Sequence, residues 1–272
     1  MYIISIIVLL IIFLVVNLNV LQVSRYKIIS NKIPNSFKGY KIMHLSDLHS
    51  KEFGKNNIRL LNKINEINPD VIFMTGDMIR KTDKNFMITY EFIKNLCKKY
   101  KIYYSLGNHE ITHNYTILKN FIQNLERLGV IVLNNKKNII EKDGEFINIY
   151  GLNFKHNMLP KRSLNYKKIM ESILGEISKD KFNVLLAHDP LNFEIYNSWG
   201  ADLIFSGHVH GGVIRIFGIG LLSPRRTLFP KYSSGKYKKG SSTMIVSRGL
   251  GNTKVGVRIF NLPNIVVVEL DK

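Results

Sequence analysis

Hydrophobic and polar positions fall into three regimes along the chain. Ile3 to Val23 is almost continuously apolar, interrupted by Ser5, Asn17, Asn19 and Gln22. An uncharged run of about 20 residues can cross a bilayer as a helix. No basic stretch precedes it and no small-x-small site follows, so an uncleaved anchor fits better than a cleaved signal peptide. A buried core helix fits less well, because the run lacks a polar face. Ser24 to Gly39 reads as a connector, with Pro34-Asn35-Ser36 as a turn signal. The expected division is 1–23 anchor, 24–39 linker and 40–272 folded domain.

A strand–helix rhythm begins at Tyr40. Strands are expected at Tyr40–Leu45, Val71–Thr75, Ile102–Leu106 and Val130–Leu133, by their short apolar runs. Helices are expected between them at Asn56–Ile67, Phe86–Tyr100 and Tyr115–Leu128, the last closed by Gly129. The remainder is strand-rich: Phe146–Leu152, Phe182–Ala187, Asp202–Phe205, Val213–Phe217, Ser242–Ser247, Val255–Ile259 and Ile265–Leu270, with one helix at Leu164–Ile177. This alternation predicts an α/β fold.

Five short motifs end apolar strands with side chains that ligate metals. They are Asp47-Leu48-His49, Gly76-Asp77, Gly107-Asn108-His109-Glu110, Ala187-His188-Asp189 and Gly207-His208-Val209-His210. In α/β sheets, sites form beyond the carboxyl ends of strands. Each motif alone has an ordinary explanation: a solvated turn for Asp-x-His, a turn for Gly-Asp, a helix cap for Gly-Asn-His-Glu. Gly-His-Val-His-Gly-Gly is hardest to explain that way, since two imidazoles sit between glycines right after a strand. Together the motifs supply donors for two metal ions, with the Asp77 carboxylate able to bridge them. Mixed nitrogen and oxygen ligands suit Mn, Fe or Zn better than Ca or Mg. Two such ions clamp the attacking and leaving oxygens of an in-line phosphoryl displacement. His109 is left over as a non-ligand, suited to charge stabilisation or leaving-group protonation. His44 reads as structural, His113 as a surface residue near this loop, and His156 stands outside any motif.

Composition adds constraints. One cysteine, Cys97, excludes an intrachain disulfide and a thiolate-built zinc site. Its place in an apolar helical phase reads as a small buried hydrophobe. Lys plus Arg total 39 against 20 Asp plus Glu, a formal charge of +19. Such a field attracts nucleic acid, acidic headgroups or anionic polymers, but the lysines are scattered and the excess is equally a general compositional bias. Arg25, Lys27, Lys32, Lys38 and Lys41 follow the apolar run, which by the positive-inside rule would keep the domain cytoplasmic.

In these motifs the chain resembles the calcineurin-like metallophosphoesterase superfamily, whose pattern D-x-H, G-D, G-N-H-E/D, H and G-H-x-H it matches in order. The resemblance implies a four-layer α/β/β/α sandwich of two mixed sheets flanked by helices, here preceded by one N-terminal transmembrane helix. It implies that Asp47, His49, Asp77 and His210 hold one divalent ion. Asp77, Asn108, His188 and His208 would hold the second, with His109 catalytic. His210-Gly211-Gly212, Phe229-Pro230-Lys231-Tyr232 and Val246-Ser247-Arg248-Gly249-Leu250-Gly251 are similar to a membrane-anchored bacterial phosphodiesterase subgroup, which includes UDP-2,3-diacylglucosamine pyrophosphatase-like proteins. That subgroup often has Gln where this chain has Val213. Many of its members place the domain outside the membrane, against the local charge rule. Arg248 reads equally as a phosphate clamp and as a surface strand-end residue.

The expected function is hydrolysis of a phosphodiester or pyrophosphate at a cell membrane crossed once, on a phosphate-ester substrate that is a candidate for lipid linkage. A nuclease of the same superfamily is the alternative within enzymes. The membrane segment and the lack of a nucleic-acid module weigh against nucleic acid as the partner. A non-catalytic scaffold should show eroded ligands, and none is eroded.

Overall fold

The structure, a computed structural model, describes residues 2–153, 165–223, 227–252 and 256–272. His156, and the ends of two expected elements at Leu164 and Val255, lie outside the described residues. In chain order the elements begin with α1 (Tyr2–Asn19), β1 (Gln22–Ile29), β2 (Lys41–Leu45), α2 (Ile58–Ile67), β3 (Val71–Met74), α3 (Met87–Cys97) and β4 (Lys101–Tyr104). Next come α4 (Asn108–Ile111), α5 (Tyr115–Arg127), β5 (Ile131–Val132), β6 (Lys136–Lys142), β7 (Glu145–Leu152), α6 (Tyr166–Leu174), β8 (Asn183–Ala187), α7 (Phe193–Trp199) and β9 (Leu203–Ser206). The chain closes with β10 (Ile214–Ile216), β11 (Ile219–Leu222), β12 (Gly235–Lys239), β13 (Ser242–Val246) and β14 (Asn264–Asp271).

Two six-stranded sheets result, ordered β1-β14-β2-β3-β4-β5 and β12-β13-β9-β8-β7-β6, plus the β10–β11 hairpin. The central strands of each sheet run parallel, and antiparallel pairs at β14–β2, β6–β7 and β12–β13 make both sheets mixed. Alternation along the strands explains the layering. Met43, Leu45, Ile72 and Met74 point one way, onto Leu60, Ile64, Phe92, Leu96 and Leu125 of the helices. Ile42, Val71, Phe73, Val266 and Val268 point the other way, onto Ile149, Val184, Leu186, Phe205 and Ile245 of the second sheet. The far face of that sheet, through Tyr150, Leu185 and Ile204, packs on Met170, Phe193, Tyr196 and Trp199. Three apolar seams make four layers, as expected. Cys97 is half-buried and packs at the edge of the first seam.

The N-terminal region differs from expectation. The apolar helix stops at Asn19, and Gln22 and Val23 belong to a strand. Residues 22–29 are no connector: β1 pairs in parallel with all of β14. Only Ile28 of this strand is fully buried, which is why its hydropathy hides it. β6 and β12 were hidden for the same reason, as lysine-rich strands at sheet edges. The expected strand at Val255–Ile259 is limited among described residues to a bridge between Ile259 and Ile214. Arg258 turns inward there and is fully buried.

Candidate metal centre

Every motif leaves the carboxyl end of a parallel strand. Asp47 and His49 follow β2, Asp77 follows β3, and Asn108 and His109 follow β4. His188 follows β8, and His208 and His210 follow β9. The strands adjoin within each sheet, so the loops adjoin too: the Asp47 amide donates to the Gly76 carbonyl and the His49 amide to the Asp77 carbonyl, both at 3.0 Å. Contacts at this end also join the sheets. His188 Nδ1 meets the Thr75 carbonyl at 2.6 Å, and the His208 amide donates to both Asp47 carboxylate oxygens at 3.1 Å.

Close approach depends on glycine. A β-carbon on Gly107 would overlap the Asp77 carboxylate and amide, and one on Gly207 would overlap Ser46 and Asp47. The ligand-type residues themselves carry strain. Asp47, His49, Asp77, His208 and His210 all have φ between 50° and 70°. Non-glycine residues seldom adopt that region, and such strain gathers at functional sites.

The side chains converge as two groups. Asp47, His49 and His210 offer ligand atoms within 4.8 Å of one another, and so do Asp77, His188 and His208. His49 Nε2 and His210 Nε2 lie 3.1 Å apart with rings nearly parallel, and Asp47 Oδ1 is 3.5 Å from His210 Nε2. His188 Nε2 lies 3.2 Å from Asp77 Oδ2 and 3.8 Å from Asp47 Oδ1, without the alignment of a hydrogen bond. Asn108 Oδ1 is buried and unpartnered. Buried lone pairs left unmatched in this way are what a cation would satisfy. The Thr75 carbonyl takes the Nδ1 proton of His188, which turns the Nε2 lone pair toward the carboxylates.

Electrostatics agree with that donor set. Burial pushes the Asp47 carboxyl up to about 6, against the pull of His188. Burial acts to raise Asp77 too, but His188, His49 and His109 together hold it well below the usual carboxylate range. Burial lowers His49 to about 4 and His210 well below the imidazole range, so both rings are neutral donors. For His188, burial is outweighed by Asp77 and Asp47, which raise it to about 10 in the metal-free protein.

His109 differs from the other imidazoles. The Lys81 amide donates to its Nδ1 at 3.1 Å, so the neutral ring carries its proton on Nε2, 3.9 Å from Asp77 Oδ2. Its ligand atom also lies within 4.8 Å of those of His49 and Asp77. With Nδ1 accepting an amide, Nε2 of the neutral ring has a proton in place of a free lone pair. His44 is structural as expected, bonded to the Thr75 hydroxyl at 2.7 Å. His113 holds the Asp83 carbonyl at 2.9 Å and packs on Phe86. Arg248 donates to Gln22 at 2.7 Å and lies against Gly211.

Two supporting residues escaped the sequence reading. Glu110 is fully buried and accepts from the amides of Asp77, Met78 and Gly107 and from the Tyr104 hydroxyl, at 2.7–3.0 Å. Its place in Gly-Asn-His-Glu was the available signal. Arg258 donates to the carbonyls of Arg248, Gly249, Gly251 and Asn261, fixing the loop beneath Asp47. Nothing local in the sequence marks it.

The family model for calcineurin-like phosphoesterases matches residues 40–212. An uncharacterized metallophosphoesterase of Campylobacter jejuni is 29% identical over 93% of this chain, which spans 64% of that protein. The Bacillus subtilis metallophosphoesterase YkuE is 28% identical, covering 93% of this chain and 86% of its own. A zebrafish transmembrane protein with a metallophosphoesterase domain is 25% identical over 88% of this chain and 55% of its own. Among solved structures, a Thermus thermophilus protein shares the fold with a TM-score of 0.51 at 12% identity, over 78% of this chain and 90% of its own. The chain therefore belongs to the calcineurin-like phosphoesterase family.

Proposed function

We propose that the chain is a membrane-anchored hydrolase with two divalent ions, cleaving a phosphodiester or pyrophosphate bond in an amphiphilic substrate. The observation that carries this reading is the meeting of the two donor groups across Asp47 and Asp77. The residues fit a metal pair: neutral His49 and His210 rings, an ionised Asp77 carboxylate and a buried orphan amide oxygen on Asn108. Asp47, His49, Asp77 and His210 would hold one ion, and Asp77, Asn108, His188 and His208 the other. Bound Mn, Fe or Zn would supply Lewis acidity and lower the pKa of water.

The chain's own groups do the rest. Asp77 keeps its charge and links the two donor groups. His109 presents a proton on Nε2 toward the centre, where it can stabilise phosphoryl oxygen or protonate a leaving alkoxide. Glu110 holds the Asp77 and Gly107 amides, which fixes both loops before substrate arrives. Beside His208 opens a cavity of about 210 Å³, lined by Leu191, Val209, Ser223, Thr227, Pro230 and Lys231. Its largely apolar wall suits a hydrocarbon part of the substrate, with Lys231 available to an anionic group.

The apolar helix Tyr2–Asn19 is long enough to cross a membrane and is scarcely covered by the rest of the chain. A membrane span would keep the centre near lipid headgroups. The test is hydrolysis by the full chain in detergent, with Mn, Fe or Zn, of headgroup diesters, nucleoside diphosphate-lipids, cyclic nucleotides and DNA. Fastest turnover of a lipid-linked ester is expected. Faster cleavage of DNA, unmoved by lipid competitors, would instead establish the nuclease reading.

A further inference from the structure

A group of exposed phenylalanines stands outside the metal centre. Phe217 is 100% exposed, Phe229 68% and Phe260 65%. All three also have left-handed backbone, with φ of 47°, 46° and 53°. Exposure of so large a ring and a left-handed phenylalanine backbone are each unfavourable. Phe217 shows the anomaly most sharply. Ile216 pairs with Ile219, leaving Phe217-Gly218 as a two-residue turn with both φ values positive. Such turns favour Asn-Gly or Asp-Gly. Here the polar position is taken by an aromatic ring.

Strand pairing brings the three residues to the hairpin. Ile259 bridges Ile214 in parallel, so the chain at Phe260 runs along β10 toward the hairpin tip. The Phe229 amide donates to the Leu221 carbonyl across β11, so the segment 227–229 also runs toward the tip. Phe260 and Phe229 thus flank the hairpin and Phe217 caps it. Ile216, Ile219 and Leu228 are exposed around them.

The apolar helix adjoins this face. The Phe260 ring stacks edge-on against Phe13 of α1, with centroids 5.1 Å apart. Phe13 lies six residues before the end of α1, about 9 Å along the helix axis. The end of α1 is fastened to the domain: Asn17 accepts from the Asn261 amide at 3.3 Å, Lys51 meets the Leu18 carbonyl, and Arg59 donates to the Asn19 carbonyl at 3.0 Å. Wherever the apolar phase surrounds Phe13, it reaches Phe260.

We propose that Phe217, Phe229 and Phe260, with Ile216, Ile219 and Leu228, enter the acyl region of the bilayer leaflet that α1 crosses nearest the domain. This rests on the reading of α1 as a membrane span. The contact makes the domain interfacial rather than tethered at a distance. It also bears on the metal centre. Arg215, buried in the hairpin, donates to the Gly211 carbonyl at 2.6 Å and also holds the Gly218 carbonyl at the tip. Asn261 donates to the His210 carbonyl at 2.8 Å. The membrane-facing tip and the end of α1 are each one side chain away from the Gly-His-Val-His-Gly-Gly loop. The cavity beside His208 shares the segment from Thr227 to Lys231 with this face, so an amphiphile could reach it from the lipid side.

Tryptophan quenching by brominated phospholipid tests the contact in the full chain, reconstituted in vesicles of neutral and anionic lipid. The natural Trp199 is buried in the core and provides the unquenched reference. F217W and F260W emission should fall by about half with bromines near the chain carbonyl, as for a side chain inserted at the headgroup boundary. Quenching of I7W without quenching of F217W would leave the helix in the bilayer and overturn the proposal. If neither were quenched, the anchor reading would fall and the proposal with it, while Mn-dependent hydrolysis would still judge the metal centre by itself. Shielding of F217W in cross-linked pairs of chains, without lipid quenching, would assign the face to a second copy and overturn it as well.

Discussion

Glu110→Gln isolates the scaffold beneath the metal centre, because it changes charge and acceptor count while keeping shape. One Glu110 oxygen accepts from the Met78 amide at 2.8 Å and the Tyr104 hydroxyl at 2.7 Å; the other accepts from the amides of Asp77 at 2.8 Å and Gly107 at 3.0 Å. Glutamine must turn its NH₂ toward one of these sides, and at least one buried amide N–H then faces a donor, since of these partners only the Tyr104 hydroxyl can turn to accept. A hydrogen bond to a charged group is worth about 1.5–3 kcal/mol, and an orphaned buried donor costs about 1–3 kcal/mol. Allowing for partial relaxation, the loss is about 2–5 kcal/mol, or roughly 5–15 °C in Tm for a domain of this size. The strained Asp77 backbone, with φ of 50°, loses the charged acceptor that ties it, so metal affinity should fall with stability. Thermal unfolding of the full chain in detergent, with and without Mn, reads both effects. An E110Q chain with wild-type Tm and wild-type Mn affinity would show that the centre does not depend on this carboxylate.

Two further outcomes follow from the same geometry. His109→Asn should leave metal content and KM near wild type and reduce kcat about 10²–10⁴-fold, the usual contribution of a general acid; loss of bound metal in H109N would instead make His109 a ligand. The metal-dependent rise in Tm should itself depend on pH. His188 is raised from 6.5 to about 10 by Asp77 and Asp47 against burial, so its charged form stabilises the metal-free fold below pH 6.5. That contribution is lost as the pH climbs toward about 10. A bound ion needs the neutral ring, so binding expels a proton and the Tm increment from Mn should grow across this window. Calorimetry in buffers of different ionisation enthalpy would detect the proton; an increment independent of pH would contradict the assignment of His188.

Much of this architecture was legible because the parallel strands of a four-layer fold are buried on both faces. Val71–Met74 and Asn183–Ala187 are buried throughout, and the sequence shows them as short apolar runs ending at ligand motifs. Strands with one solvated face were not legible. Lys136–Lys142 buries only Ile140, and Gly235–Lys239 buries none of its residues. Gln22–Ile29 was obscured by the apolar helix before it and takes its register wholly from β14, over 230 residues away in sequence. The side chains that converge could be read because motif order and strand ends coincide. Their support could not: Arg258 acts through backbone carbonyls earlier in its own β13–β14 connection, and Asn261 through the His210 carbonyl of another loop. The Phe217-Gly218 turn shows the converse, since a local rule is broken there for no reason inside the chain.

In the proposed metal pair Asp77 is the shared ligand, and Asp77→Asn is the substitution that separates such a pair from any other use of this site. The full-length wild type and D77N, purified in detergent and loaded with Mn, would be compared for bound metal and for hydrolysis of bis-p-nitrophenyl phosphate. Metal-dependent turnover is expected of the wild type. D77N should bind less Mn and lose about 10³-fold or more in rate, as for removal of a group that stabilises the transition state electrostatically. Equal turnover by the two proteins would rule out a metal pair bridged by Asp77 as the source of the activity.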